Sequence, residues 1–327
     1  NVPHLRFPEF SGEWNKYTIN DLATVVGGGT PDTTVKSYWG GDIQWFTPSE
    51  IGKNKYVDFS KRTITRDGLD NSSAKLLPLH TILLSSRATV GECSIASNEC
   101  TTNQGFQSLI AKQCNIDFLY YLIQTKKKDL IRNACGSTFL EISANEIRKI
   151  KVAVPVQNEQ EQIAKLLSLI DERIATQNKI IEKLQSLIKG LVDELMTVLL
   201  KGKLYPFSSF YIKAGEGGTP TTSVVEYYTE GTIPFIKIED LSCKYLTNNK
   251  DFITELGMQK SSAWLIPSKS VIYSNGATIG AISINEYPVC TKQGILGIVP
   301  NTNINVEYLY LLMSSSYFSK EISRIIT

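Results

Sequence analysis

Gly28-Gly29-Thr30-Pro31 is the stretch that decides the fold, because it recurs far along the chain as Gly217-Gly218-Thr219-Pro220. Other blocks recur in the same order and at nearly the same offset. The further pairs are Tyr38-Trp39 with Tyr227-Tyr228, Ile43-Gln44-Trp45-Phe46 with Ile233-Pro234-Phe235-Ile236, Leu77-Pro78 with Ile266-Pro267, Ala88-Thr89-Val90-Gly91 with Ala277-Thr278-Ile279-Gly280, Gln104-Gly105 with Gln293-Gly294, and Asp117–Leu122 with Glu307–Leu312. Chance seldom preserves one offset across so many blocks, so the sequence predicts an internal duplication.

Each repeat is predicted to be an α+β unit of short strands and glycine-rich turns. Thr81–Ser86 and Ser270–Ser274 are short apolar runs that predict equivalent strands in the two repeats. One helix is expected to close each unit, at Asp117–Ala134 in the first repeat and at Glu307–Ile325 in the second. The fold class is therefore α+β, with two repeated units.

The first repeat continues beyond its closing helix. Gly136-Ser137-Thr138 predicts a turn, and Ile150–Val154 predicts a last strand that Pro155 ends. Near the start of the repeat, Gly27–Thr30 lacks the Lys-Ser/Thr pair and the following helix of a phosphate-binding P-loop. A tight turn before the next strand is the favoured interpretation of these glycines.

A single long coiled-coil helix is predicted between the repeats, because apolar residues there follow a heptad spacing that only one glutamine interrupts. Asn158 is the predicted N-cap, Gly190 weakens the helix without ending it, and Gly202 is expected to end it. The seam consists of Ile163, Leu167, Ile170, Ile174, Gln177, Ile181, Leu184, Ile188, Leu191 and Leu195. About 45 residues at about 1.5 Å each predict a rod of about 65 Å. A lone helix cannot bury this seam, so the seam requires a partner.

The length of 327 residues suits two or three domains. We expect the first repeat with an N-terminal arm at 1–155, the helix at 156–202 and the second repeat at 203–327. No apolar run approaches the length of a membrane span, so no membrane association is expected. Six cysteines form no CxxC pair and differ in position between the repeats, which favours reduced thiols in a cytoplasm. A net charge of +2 permits nucleic-acid binding without requiring it.

No catalytic or metal-binding constellation is visible in the sequence. Its two histidines, His4 and His80, lie far apart, and Lys269 stands where the second repeat would need a counterpart of His80. An ordinary surface histidine is therefore expected at position 80. Glu50–Lys53 is too loose a pattern for a nuclease carboxylate site, and Lys126-Lys127-Lys128 fits either a phosphate contact or a solvated helix face. The chain is not predicted to be an enzyme.

Two similar but diverged domains on a rigid spacer are typical of a binding protein that makes two related contacts. Duplex DNA is the ligand that suits this arrangement, because the predicted rod spans one to two helical turns of about 35 Å each. The most diverged segments are polar, and they would carry the specificity of the contacts. They are 53–66 against 243–252 and 72–75 against 261–264. A protein-binding scaffold with two adaptor domains is the main alternative, and a stand-alone enzyme is a third.

These residues together resemble the specificity subunits of type I restriction–modification systems. Ile43–Ile51 after the glycine motif and the aromatic pair resembles the start of a target recognition domain, as does Arg87–Gly91 followed by Thr102–Phe106. Gly136-Ser137-Thr138 with Pro155 and Glu159–Ile163 resembles the entry into the family's central conserved helix. Each motif is weak alone, but their order, their repetition and the helix between them are specific, and they cover nearly the whole chain.

The resemblance implies a subunit without chemistry of its own, working in the cytoplasm of a bacterium. Each target recognition domain would read one half of a bipartite site in double-stranded DNA, and the helix would fix the gap between the halves. Two methyltransferase subunits, which bind S-adenosylmethionine, and restriction subunits, which use ATP and Mg, would be the partners. This chain itself would hold no cofactor and no metal.

The resemblance also implies a second conserved helix packed antiparallel on the first, which this sequence lacks after Thr327. Either that helix belongs to a longer form of the chain or this is a truncated form. If the helix is truly absent, we expect the seam from Ile163 to Leu195 to be covered by a second copy of the chain or by methyltransferase helices. Candidate DNA contacts are chosen from polar residues in the diverged loops and in turns beside the repeated blocks. They are Lys36, Lys53, Arg62, Arg66, Lys75, Arg87, Lys237, Lys244, Lys260, Asn275 and Lys292.

Overall fold

A computed structural model describes residue 3 and residues 5–136, 140–199, 201–276 and 278–326. Contacts divide the chain into two compact units, Asn1–Gln177 and Asn178–Thr327, here called unit 1 and unit 2. His4, Ser137, Thr138 and Ala277, which the sequence analysis names, lie outside the described residues.

Unit 1 contains one five-stranded and one three-stranded mixed sheet, with a two-stranded sheet beside them. Its strands are β1 (Asn15–Thr18), β2 (Ala23–Gly27), β3 (Trp39–Phe46), β4 (Tyr56–Val57), β5 (Arg62–Ile64), β6 (Ile82–Leu84), β7 (Cys93–Ala96), β8 (Cys100–Thr102), β9 (Gln107–Ala111) and β10 (Lys151–Val154). The five-stranded order is β2-β9-β6-β7-β4 and the three-stranded order is β5-β3-β8, while β1 pairs with β10. The strands predicted at Thr81–Ser86 and Ile150–Val154 are thus confirmed, each shorter than the apolar run that predicted it.

Unit 2 repeats the two larger sheets strand for strand. Its strands are β11 (Tyr211–Glu216), β12 (Ile233–Ile236), β13 (Tyr245–Leu246), β14 (Asp251–Ile253), β15 (Val271–Ser274), β16 (Ile282–Asn285), β17 (Cys290–Thr291) and β18 (Ile295–Pro300). The orders β11-β18-β15-β16-β13 and β14-β12-β17 match those of unit 1. The parallel pairs also correspond, because β3–β8 and β4–β7 are matched by β12–β17 and β13–β16. The duplication predicted from the motif offsets is therefore a duplication of sheet topology.

Helices cover one face of each five-stranded sheet, two short helices lie beside the three-stranded sheets, and the longest helix is mostly exposed. The helices are α1 (Ile19–Leu22), α2 (Arg66–Asp70), α3 (Ile116–Thr125), α4 (Lys127–Arg132), α5 (Ala144–Lys149), α6 (Gln157–Leu199), α7 (Glu255–Gln259), α8 (Val306–Ser314) and α9 (Ser316–Ile326). Short 3-10 turns lie at Lys36–Tyr38, Pro48–Glu50, Phe207–Phe210, Val225–Tyr227 and Ile238–Asp240.

The single closing helix predicted for each repeat is wrong, because in both units it is broken into two. In unit 1 the break falls at Lys126, whose ψ of 4° leaves the helical region. In unit 2 it falls at Ser315, which is extended at ψ 153°. The Ser315 hydroxyl accepts a hydrogen bond from the backbone N–H of Phe318, so it caps the second of the two helices.

Both faces of the central strand β6 are buried, which places three layers in unit 1. Ile82 and Leu84 face the helices, where they share a core with Leu119. Leu83 points the other way, into a second core with Phe46 of the three-stranded sheet. A strand buried on both faces reads as a continuous apolar run rather than an alternating one, and each fully buried side chain of this size contributes roughly 1.5–3 kcal/mol.

The long helix α6 is continuous from Gln157 to Leu199, as the heptad spacing predicts. The N-cap predicted at Asn158 is wrong, because the helix begins at Gln157 and Asn158 already lies in its first turn. Its end at Leu199 comes before Gly202, and Lys201 and Gly202 form a turn after it. No helix in the described part of the chain is both long and apolar enough to cross a membrane.

Candidate nucleic-acid interface

The repeated glycines allow the motif segment to lie directly against the strand end of β8. A Cβ at Gly28 would overlap the backbone of Thr102 and Asn103, and one at Gly29 would overlap Ser73 and its neighbour in the chain. Gly217 and Gly218 meet the same obstacles in unit 2. The tight turn predicted at Gly27–Thr30 is wrong, because strand β2 ends at Gly27 and no turn follows before Thr30. The glycines are needed because the backbone here lies close to the end of strand β8.

Two tryptophans of β3, here called the tryptophan platform, pack against each other in unit 1. The rings of Trp39 and Trp45 meet edge to face at 5.0 Å. The Trp45 indole N–H donates to the Gly29 carbonyl at 2.9 Å, and that of Trp39 donates to the Asp32 carbonyl at 3.1 Å. The guanidinium of Arg62, on the neighbouring strand β5, lies 3.6 Å from the centre of the Trp39 ring. The motif segment, the platform and one predicted DNA contact therefore form a single cluster.

In unit 2 the position equivalent to Arg62 is occupied by an acidic residue, Asp251. Asp251 faces Phe235 in the strand register, as Arg62 faces Trp45. Its carboxylate pairs with the Lys237 ammonium at 2.9 Å, and this hydrogen bond raises the pKa of Lys237. Asp251 was not among the predicted contacts, although the diverged segment that contains it was.

A lysine-centred polar cluster, which the sequence analysis missed, ties helix α6 to unit 1. The Lys55 ammonium lies 2.7 Å from the carboxylate of Asp117 and donates to the Ser168 hydroxyl at 2.7 Å. The hydroxyl of Tyr121 donates to Asp171 at 2.6 Å, so two successive turns of α6 are held. These contacts fix the start of the long helix on the globular part of unit 1.

Burial and charge set the ionisation of this cluster. Burial alone would raise the pKa of Asp117, but hydrogen bonds from Lys55 and Tyr56 outweigh it and the pKa lies below its usual value. Burial raises the pKa of Tyr120 to about 12. Around neutral pH Asp117 is therefore a carboxylate and Tyr120 is neutral.

The same cluster recurs in unit 2. Lys244 pairs with Glu307 at 3.0 Å, and the Tyr245 hydroxyl donates to the same carboxylate. The hydrogen bond from Lys244 to Glu307 raises the pKa of Lys244. The signal was present in the sequence, since the block Asp117–Leu122 matched Glu307–Leu312, but no pattern joined that block to a lysine far from it in the chain.

Most of the predicted DNA contacts are exposed side chains in loops, short helices and strand ends. The exposed ones are Lys36, Lys53, Arg62, Arg66, Lys75, Arg87, Lys260, Asn275 and Lys292, while Lys237 and Lys244 are half-buried. Arg66 pairs with Asp70, and Arg87 lies 3.7 Å from Glu141. Their role as DNA contacts stays a prediction.

The structure brings two of these residues to neighbouring strand ends. Strands β12 and β17 are parallel, with Ile236 opposite Thr291. Lys237 and Lys292 follow them directly, and the backbone N–H of Lys292 donates to the Ile236 carbonyl. The other predicted contacts are not joined to these two by any described hydrogen bond or ion pair between side chains.

The predicted seam is largely uncovered within the part of the chain that the structure describes. Ile163 packs against the unit 1 core and Leu167 is half-buried. From there on the seam is exposed, with Ile174 at 54% and Ile188 at 59%. The other exposed seam positions are Ile170, Gln177, Ile181, Leu184, Leu191 and Leu195.

No group of three or more histidine, cysteine or acidic side chains in the described ranges could hold a metal ion. His80 is exposed, as expected, at a positive φ of 62° that Lys269 shares in unit 2. Burial raises the pKa of Cys93 and Cys100 to about 12, so their thiols are poor nucleophiles.

A family model and several similar proteins identify the family to which the chain belongs. The family model for the type I restriction modification DNA specificity domain matches residues 11–186 and 210–325. The chain belongs to this family of type I specificity subunits. The MjaIX specificity subunit of Methanocaldococcus jannaschii is 31% identical over 338 residues, which cover 95% of this chain and 77% of that protein. The EcoR124I/EcoR124II specificity subunit of Escherichia coli is 29% identical over 175 residues, covering 51% of this chain and 43% of that one.

Solved structures share the fold of this specificity subunit. The S subunit from M. genitalium matches with a TM-score of 0.52 at 19% identity, covering 100% of this chain and 82% of that one. A chain from a type I restriction–modification system, solved to study complex assembly and conformational transition, matches with a TM-score of 0.57 at 15% identity, covering 97% and 83%. At these identities the likeness concerns the fold alone.

Proposed function

We propose that this specificity subunit binds double-stranded DNA sequence-specifically, with each α+β unit reading one half of a bipartite site. The observation that carries the proposal is that one framework occurs twice with the same sheet order but with different side chains at equivalent positions. Position 62 in unit 1 is an arginine whose guanidinium lies over the ring of Trp39. Its counterpart in unit 2 is Asp251, whose carboxylate is paired with Lys237. Two copies that differ in this way suit two different half-sites.

In this proposal helix α6 is the spacer between the readers and the docking surface for two methyltransferase subunits. Its exposed apolar seam supports the docking role, because such a surface is costly to leave in water. S-adenosylmethionine would bind to those subunits, and ATP and Mg to the restriction subunits that join them. The chain would hold no cofactor itself and would act in the cytoplasm, where bacterial DNA lies.

Binding of the full chain to a fluorescent duplex of randomised sequence tests the proposal directly. We expect measurable affinity that falls steeply as salt rises, since each phosphate contact releases condensed counterions. A protein-binding scaffold would show no salt-dependent affinity for any duplex, and that result would contradict the proposed function. Sequencing of the tightest-bound duplexes should then show a motif in two parts separated by an unread gap.

A further inference from the structure

Arg62 differs from the other exposed arginines of unit 1 in how its side chain is held. Arg66 forms a solvent-exposed pair with Asp70 one helical turn away. The guanidinium of Arg62 instead stacks on Trp39 at 3.6 Å and lies 5.4 Å from the ring centre of Trp45. Both rings are themselves anchored by indole hydrogen bonds to backbone carbonyls, so the surface beneath Arg62 is rigid.

Stacking of this kind leaves the hydrogen-bonding edge of the guanidinium available. The N–H groups lie in the plane of the guanidinium, so a ring beneath its face does not use them. Within the described ranges no carboxylate approaches Arg62 closely enough for an ion pair, and the side chain is exposed. Contact with the ring restricts this side chain before binding, so it has less side-chain entropy left to lose when it binds a base. Arg62 is thus a preorganised donor fork without a carboxylate acceptor among the described residues of its own unit.

The residues at the equivalent place in unit 2 do not offer a similar arginine donor. Asp251 presents carboxylate oxygens where Arg62 presents donors, and Lys237 is engaged with that carboxylate. The ring at the Trp39 position is Tyr228, whose hydroxyl donates to the Pro220 carbonyl. An aromatic residue is therefore kept at the position of Trp39, whereas the arginine at position 62 is replaced by a carboxylate that is paired with a lysine.

We propose that Arg62 is a specificity-determining residue that reads a guanine in the half-site bound by unit 1. The inference rests on the proposed DNA-binding function and names the base edge that this position recognises. Guanine offers two acceptors, O6 and N7, at the spacing of an arginine fork, and this bidentate pair is the commonest specific arginine contact. Because Asp251 occupies the equivalent place, the other half-site lacks an arginine contact to guanine at the corresponding position.

Selection of bound duplexes from a random library by the full chain tests the assignment. The variants are Arg62→Ala, Arg62→Lys and Trp39→Ala, with Arg132→Ala as an exposed-arginine control on helix α4. The wild type and the control should enrich one guanine in one half-site, by about 5- to 150-fold over other bases. Arg62→Ala and Arg62→Lys should lose that preference, since lysine keeps the charge but not the fork. Trp39→Ala should weaken it, and the other half-site should be unchanged in all variants.

Replacement of that guanine by 7-deazaguanine gives an independent readout on the DNA side. The wild type should lose affinity for the modified duplex, whereas Arg62→Ala should bind both duplexes equally. Retained guanine preference in Arg62→Ala would overturn the assignment. So would a uniform loss of affinity for all sequences with a shallower salt dependence, which indicates a phosphate contact. If the wild type bound no duplex, the proposed DNA-binding function itself would be contradicted. Circular dichroism spectra of each variant would exclude misfolding as the cause of a lost guanine preference.

Discussion

Gly28 illustrates how a single residue type can be required by packing rather than by backbone conformation. Its φ is not positive, yet a Cβ there would overlap the carbonyl of Asn103 and the side chain of Thr102. The obstacle is mostly backbone of strand β8 and the loop after it, which cannot move without disturbing the three-stranded sheet. Gly217 meets Thr291 in the same way, so the constraint belongs to the framework and not to one half-site.

We expect Gly28→Ala to destabilise the chain by about 1–3 kcal/mol, the usual cost of overpacking a closed site. Gly190→Ala is the matched control, because this glycine lies in helix α6 and a Cβ added there would meet no described neighbour within 4 Å outside the helix's own backbone. Alanine there should stabilise the helix by about 0.5–1 kcal/mol. Urea unfolding followed by circular dichroism measures both changes, and equal midpoints for Gly28→Ala and the wild type would refute the packing argument.

At the scale of the elements, a buried carboxylate holds the N-terminal arm on the first turn of helix α6. Both oxygens of Glu159 accept hydrogen bonds from the Arg6 guanidinium at 2.7 Å, and the Trp14 indole N–H donates to one of them at 3.2 Å. The glutamate side chain is fully buried. The hydrogen bond from Arg6 holds the pKa of Glu159 below its usual value.

This lowered pKa predicts the direction of a pH dependence. The stabilisation is complete above the unfolded pKa of glutamate, about 4.3, and is lost as pH falls through the lower folded pKa. Glu159→Gln should therefore melt several degrees below the wild type at neutral pH, with the gap closing in acid. Glu161→Gln, an exposed change on the same turn, serves as the control. A gap between Glu159→Gln and the wild type that stays constant as the pH is lowered until the wild type unfolds would show that the charge is not responsible.

At the scale of the whole molecule, the exposed seam of α6 predicts association. Ile181 and Ile188 are more than half exposed in the described chain, and a row of such residues is unfavourable in water. We expect the purified chain to sediment as a concentration-dependent oligomer when no other subunit is present. Ile181→Lys together with Ile188→Lys should shift it to monomer with an unchanged far-ultraviolet spectrum.

Lys183→Glu, on the polar face of the same helix, provides the control for that measurement and should not alter the sedimentation. A wild-type chain that stays monomeric at every concentration would contradict self-association through the seam. Added methyltransferase subunits should then compete with the oligomer, because both partners would cover the same apolar side chains.

Sequence alone determined the duplication, the α+β class, the long helix and the family. Each of these depends on local or periodic signals, such as repeated blocks at one offset and a heptad spacing. It also located the diverged segments that contain Arg62 and Asp251. Local signals did not predict the helix ends correctly. Capping preferences placed the N-cap of helix α6 at Asn158, inside the helix. The breaks at Lys126 and Ser315 were missed because no glycine or proline marks them.

Only the tertiary structure decided which side chains meet. The stack of Arg62 on Trp39, the ion pair of Arg6 with Glu159 and the contact of Lys55 with Ser168 join residues that are far apart in the chain. No periodicity encodes such pairs, because their geometry follows from strand register and sheet order. The repeated glycines were visible in the sequence, but the reason for them, a backbone lying against another strand, appears only once the chain is folded.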